Sequence, residues 1–173
     1  MPPRSGTLYP TDVEGVGMLE LDIPGRGRLV LTHLVLDVNG TIAEGGRLLP
    51  GVAAALRALA GTLETLAVTA DTHGTAVGLA AETGITVHVI EPGSEGAQKL
   101  ALISELGARG VVAIGNGAND ALMLREAAVG IVVIGREGAA RLALEAADLV
   151  VTDVLDALAL LSDPRRLVAT LRA

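Results

Sequence analysis

The chain has 173 residues, a net charge of −7 at neutral pH, half of its residues apolar, and one aromatic residue, Tyr9. One domain of this length buries roughly 70% of the surface its unfolded form exposes, so the core must be built from Ala, Val, Leu and Ile. The acidic balance argues against nucleic acid or an anionic membrane as the main partner. The absence of cysteine excludes disulfide and thiolate chemistry. No apolar run approaches the ~18 residues needed to cross a bilayer, and the N-terminus lacks the apolar stretch of a secretory signal. A cytoplasmic protein is expected.

Residues 1–15 are rich in Pro, Gly and polar residues without periodicity and read as a flexible tail. A single domain is expected over 16–173, beginning with a β-hairpin extension. Its strands are Met18 to Ile23 and Arg28 to Asp37, separated by Pro24-Gly25-Arg26-Gly27. A turn at Gly45-Gly46 follows, then a helix over 51–60 with Pro50 near its start. From there strands over 65–69, 85–90, 111–114, 129–134 and 148–151 alternate with helices over 74–82, 94–106, 118–128 and 137–146. Ser94 is the expected cap of the 94–106 helix. Two short helices close the chain, the second opening on Asp163-Pro164. Short Val/Ile-rich strands alternating with helices predict an α/β fold, a Rossmann-like doubly wound parallel sheet buried on both faces.

In such a sheet ligands gather at the carboxyl ends of the strands. Three predicted strands end in polar runs: Asp37-Val38-Asn39-Gly40-Thr41, Thr69-Ala70-Asp71, and Gly115-Asn116-Gly117-Ala118-Asn119-Asp120. All three asparagines of the chain lie in these runs. The only lysine, Lys99, lies on the helix leading into the last of them; the other twelve basic residues are arginines. Carboxylates at Asp37 and Asp120 and amides at Asn39 and Asn116 are oxygen donors of the kind that suit Mg²⁺. Gly40, Gly115 and Gly117 allow backbone N–H groups to approach an anion. His33, His73 and His88 show no metal-ligand spacing, and no serine or cysteine triad is visible. An aspartate nucleophile is the reading left.

These runs resemble, in order and spacing, the four motifs of the haloacid dehalogenase-like (HAD) hydrolases. They are most similar to the phosphorylation domain of P-type ATPases and its small soluble relatives. Gly-Ile-Val-Val-Ile-Gly (130–135) and Ala-Ala-Asp-Leu-Val-Val-Thr-Asp (146–153) extend the resemblance, which spans about residues 29–155. It implies a HAD-type core and a Mg²⁺-dependent phosphatase acting on phosphomonoesters or acyl phosphates. Asp37 would attack phosphorus and carry an aspartyl-phosphate. Thr69 and Lys99 would hold phosphoryl oxygens, and Gly40, Thr41, Ala70, Asp71 and Asn119 would contact phosphate or substrate. Asp37, Asn39 through its backbone carbonyl, Asn116 and Asp120 would hold Mg²⁺.

The sequence departs from that pattern twice. Asn39 stands where HAD phosphatases usually have the aspartate that protonates the leaving group. Losing such an acid typically lowers the rate roughly 10²–10⁴-fold, mostly on poor alkoxide leaving groups. Asn116 stands at a usual metal-binding aspartate and removes a negative charge. A catalytically weakened phosphate- or nucleotide-binding regulatory module is therefore the alternative reading, and an oligomerising interaction module a third. Thirty-two positions separate Asp37 from Thr69 and thirty separate Thr69 from Lys99. These gaps hold no cap domain beyond a short flap around Gly45-Gly46. An open site of this kind suits a phosphorylated small molecule, or an exposed phosphate on a larger substrate, with closure by a second copy in a homo-oligomer.

Overall fold

The computed structural model describes residues 6–8, 17–71 and 74–173. The main sheet is built from β1 (Gly6–Leu8), β4 (His33–Asp37), β7 (Glu64–Thr69), β8 (Thr86–Val89), β9 (Val111–Gly115), β10 (Val129–Val133) and β11 (Leu149–Val151). Their order is β1-β8-β7-β4-β9-β10-β11. The six strands from β8 to β11 run parallel, and β1 joins the β8 edge antiparallel. The predicted doubly wound α/β sheet is therefore present.

Residues 6–8, expected within the flexible tail, add this edge strand because β8 otherwise leaves one row of backbone groups unpaired. The rest of that tail lies outside the described residues.

Strands buried on both faces need helices on both. Helices α1 (Val52–Leu59), α2 (Ala76–Thr83), α6 (Val154–Ser162) and α7 (Pro164–Leu171) cover one face. Helices α3 (Glu95–Leu106), α4 (Ala121–Glu126) and α5 (Arg141–Ala146) cover the other. Each face packs aliphatic side chains alone: Leu34, Leu36 and Ile114 point to the first layer, Val35, Val68 and Ala113 to the second. The alternation along β4 is the period-2 geometry of a strand, and it fixes Asp37 at the strand's end.

The expected single strand from Arg28 to Asp37 is two. β3 (Gly27–Leu31) pairs with β2 (Leu19–Ile23) in a separate hairpin, and β4 begins after Thr32. Thr32 makes the break: its N–H donates to the Gly110 carbonyl, its hydroxyl does the same, and its own carbonyl accepts from Glu64. The chain thus leaves one sheet for another without stranding backbone groups.

Two other helices start later than expected, and one cap is not made. The helix expected over 137–146 starts at Arg141, since Gly135 and Gly138 form an isolated bridge that turns the chain first. That expected over 118–128 is a 3₁₀ turn, Ala118–Asp120, followed by α4. Ser94 makes no side-chain cap on α3; its hydroxyl accepts instead from Gln98 Nε2 at 3.0 Å. Residues 43–48 form the expected small hairpin, β5 (Ala43–Glu44) and β6 (Arg47–Leu48), turning at Gly45-Gly46.

Candidate active site

The parallel registers bring three strand ends together. Asp37 lies beside Val68 of β7, one residue before Thr69, and Leu36 lies beside Ile114 of β9, just before Gly115-Asn116. Behind them α3 brings in Lys99, whose side chain is 2% exposed. Its ammonium donates to Asp37 Oδ1 at 2.7 Å and to Asp120 Oδ1 at 2.6 Å. The Thr41 hydroxyl donates to Asp37 Oδ2 at 3.1 Å and lies 3.2 Å from the Asn116 amide oxygen. Asp37, Thr41, Lys99, Asn116 and Asp120 thus form one buried polar cluster at the carboxyl edge of the sheet.

One ammonium between two carboxylates leaves an excess negative charge in an apolar surrounding. Burial first, and the neighbouring Asp120 second, push the Asp37 carboxyl up to about 6, against the pull of Lys99. For Lys99 burial acts the other way and would lower its pKa; Asp37 and Asp120 overcome it and hold the ammonium above its usual range. The lysine therefore stays charged.

The pair of contacts also explains why arginine does not serve here, although it is twelve times as common in the chain. A planar guanidinium cannot take the place of a compact point charge in a closed space. Lys99→Arg is expected to lower turnover at least about 100-fold, the scale of losing one transition-state donor. Lys99→Met strands two buried carboxylates and is expected to destabilise the fold by about 3–5 kcal/mol. Steady-state rates and urea titrations check the two outcomes; an arginine variant with parental rates removes Lys99 from the site.

Two glycines are required by close approach. A Cβ on Gly115 would lie 2.6 Å from the Asp120 carboxyl carbon. One on Gly40, whose φ is +81°, would meet the Asn116 amide nitrogen at 2.6 Å and Glu137 Oε2 at 2.8 Å. Both positions leave space for the functional side chains rather than for a turn alone.

Further contacts fix how each expected site residue is held. Asp120 is fully buried, and its second oxygen accepts from the N–H groups of Asn116 at 2.9 Å and Gly117 at 2.8 Å. With the first oxygen on Lys99, both of its carboxylate oxygens are engaged. Asp71, the only non-glycine described residue with positive φ (49°), accepts at Oδ1 from Thr75 and Ala76 and so caps α2. Thr69 is buried, and its hydroxyl accepts from the Asp71 N–H at 2.9 Å. Ala70 is half-buried between them, whereas Asn119 is exposed on the 3₁₀ turn. Asn39 is half-buried in the loop after β4. His73 lies outside the described residues. His33 pairs with Glu64 at 3.3 Å and Thr32, away from the cluster.

A second feature was not anticipated. A cavity of about 480 Å³ opens beside Gly40 and Thr41, between the β5–β6 hairpin and the carboxyl ends of β10 and β11. Glu137, reaching to Gly40, belongs to its wall. Reading the ends of β10 and β11 by the same strand-end rule would have found it.

A doubly wound sheet holding an acid–lysine–acid cluster at its carboxyl edge defines a class of hydrolases that use a strand-end aspartate. Residues 13–128 match the model of the haloacid dehalogenase-like hydrolases, and the chain belongs to that family. It is 46% identical over 84 residues to the uncharacterized protein MJ0073 of Methanocaldococcus jannaschii, covering 46% of this chain and 90% of that one. Among solved structures it is similar to a 3-deoxy-D-manno-octulosonate 8-phosphate phosphatase from Moraxella catarrhalis, in complex with magnesium and phosphate ions. The TM-score there is 0.62 at 19% identity, over 82% of this chain and 94% of that one. It is also similar to a zinc-transporting PIB-type ATPase in its E2.Pi state, with TM-score 0.57 and 25% identity over 70% of this chain and 20% of that one. No helix among the described residues is long and apolar enough to cross a membrane.

Proposed function

We propose that the protein is a Mg²⁺-dependent phosphatase that works through an aspartyl-phosphate on Asp37. The observation that carries the reading is the contact of one buried lysine with both Asp37 and Asp120, at 2.7 and 2.6 Å. Asp37 Oδ2 attacks phosphorus, with Thr41 orienting that oxygen, and the leaving group departs. Lys99 neutralises charge on the phosphoryl oxygens as it builds up, and Asp120 holds Lys99 in place. The Thr69 hydroxyl and the Ala70 backbone, at the adjacent strand end, would take the remaining phosphoryl oxygens. Water then attacks the phospho-aspartate and regenerates Asp37.

The cluster fits a hard cation. It carries an excess negative charge, and the Thr41 hydroxyl holds Asp37 Oδ2 and the Asn116 amide oxygen close to one another. Asp37, Asn116 and the Asn39 carbonyl would hold Mg²⁺, which supplies charge neutralisation at the phosphoryl oxygens. With Asn at 116 the site has one charged ligand where two are usual, so weak Mg²⁺ affinity is expected.

Because Asp37 is pushed up to about 6, cation and proton compete for it. Mg²⁺ binding should release close to one proton below pH 6 and almost none at pH 8. Its affinity should fall about tenfold per pH unit on the acid side. Calorimetry in two buffers of different ionisation enthalpy measures this; proton release that is the same at both pH values places the cation elsewhere. Phosphate release from acetyl phosphate, with and without Mg²⁺, tests the activity itself.

A regulatory module that binds phosphate without turnover is the second reading, favoured by Asn39 and Asn116. Saturable phosphate binding with no release from acetyl phosphate would establish it.

A further inference from the structure

The reading above leaves the leaving group unspecified. The cavity beside Gly40 and Thr41 bears on it, because Thr41 both lines this space and donates to Asp37 Oδ2, so the cavity adjoins the nucleophile. The volume, about 480 Å³, is that of a small-molecule site. One wall is aliphatic: Leu49 and Pro50 after the hairpin, Val154 and Leu155 at the start of α6. The chain has no Phe or Trp, and none of the described residues that line this cavity is aromatic. The described wall therefore offers no stacking platform of the kind that holds nucleobases.

The rim is acidic. Glu44 and Glu137 face the cavity, and the one cation there, Arg136, is drawn to Glu44 at 3.5 Å. A leaving group with a second anionic centre would meet these carboxylates, and among the described lining residues the one cation already faces Glu44. The remaining constraint is chemical. Asn39 cannot donate a proton, so the favoured leaving group is one that departs as a stable anion at neutral pH. A carboxylate does so; an alkoxide does not.

We infer that the substrate class is the acyl phosphate of an uncharged aliphatic acid, its chain seated in the cavity between the hairpin and α6. The inference rests on Asp37 as nucleophile. In the first step the Asp37 Oδ2–phosphorus bond forms and the bond from phosphorus to the acyl oxygen breaks. The electron pair leaves with the carboxylate and no proton moves. In the second step a water oxygen bonds phosphorus and the Asp37–phosphorus link breaks. Both hydrogens of the water leave on dihydrogen phosphate or pass on to solvent.

The test compares acetyl, butyryl, hexanoyl and glutaryl phosphates with butyl phosphate, all with Mg²⁺, reading phosphate release. Butyryl phosphate should exceed butyl phosphate at least about 100-fold in kcat/KM, the lower end of what a missing acid withholds. KM should fall about threefold per added methylene from acetyl to butyryl, the effect of burying each CH₂. Glutaryl phosphate, with its distal carboxylate, should be about fivefold poorer than butyryl phosphate, and Glu44→Lys should abolish that difference. Butyl phosphate within tenfold of butyryl phosphate overturns the acyl assignment. A KM independent of chain length, or a glutaryl-to-butyryl ratio that Glu44→Lys does not move, overturns the assignment of the cavity. Absence of phosphate release from every compound, acetyl phosphate included, overturns the Asp37 reading and the inference with it.

Discussion

Asp37→Asn is expected to abolish phosphate release and, in the metal-free protein at pH 8, to raise the melting temperature. Both outcomes come from the same carboxyl. As nucleophile it has no substitute, since Asp120 is fully buried with both oxygens engaged. As a structural element it is unfavourable, because burial and Asp120 push it from an ordinary 3.8 to about 6. A carboxyl raised in the folded state contributes stability that is complete below its unfolded pKa and is lost as the pH rises through its folded one. Near pH 8, ionised Asp37 therefore weakens the fold by about 3 kcal/mol, at ~1.4 kcal/mol per pKa unit.

Asparagine is neutral throughout. The variant's advantage should be full at pH 8, worth about 6–12 °C for a chain of this size, and should vanish below pH 4. Thermal melts of both proteins across that range, without divalent cations, measure it. A variant that melts at or below the parent at pH 8 contradicts the proposed electrostatics of the cluster. One that retains turnover contradicts the mechanism.

Asn39→Asp is the complementary gain. A carboxyl two residues after the nucleophile can protonate a departing alkoxide and then take a proton from the attacking water. Turnover of butyl phosphate should rise roughly 10²–10⁴-fold, while acyl phosphates, whose leaving group needs no proton, should change little in the first step. Parallel rate measurements on the two substrate types separate the effects. No gain on butyl phosphate would mean that residue 39 does not reach the leaving oxygen.

Much of this is legible in the amino-acid sequence. Alternation of short Val/Ile strands with helices identified the parallel sheet, because both-face burial leaves a hydrophobic signature at each strand. The scarcity of lysine and asparagine marked Lys99, Asn39 and Asn116, since a residue type used once or three times stands out against its replacements. What was illegible is directional. Asp120 and Asp37 read alike in sequence, yet one oxygen of Asp120 is taken by two backbone N–H groups and the other by Lys99. Asp71 belonged to a polar strand end, yet its carboxylate caps α2. Thr32 gave no sign of dividing a continuous apolar run between two sheets.

Which elements form and which residues stand at the strand ends follow from the order of amino acids alone, because local propensity and hydrophobic period are properties of neighbours in the chain. Folding of the whole chain puts Lys99, sixty-two positions after Asp37, between two carboxylates and opens a cavity between the hairpin and α6. Those depend on strand order and helix packing, which set distances between residues remote in sequence and control how much water remains between their charges.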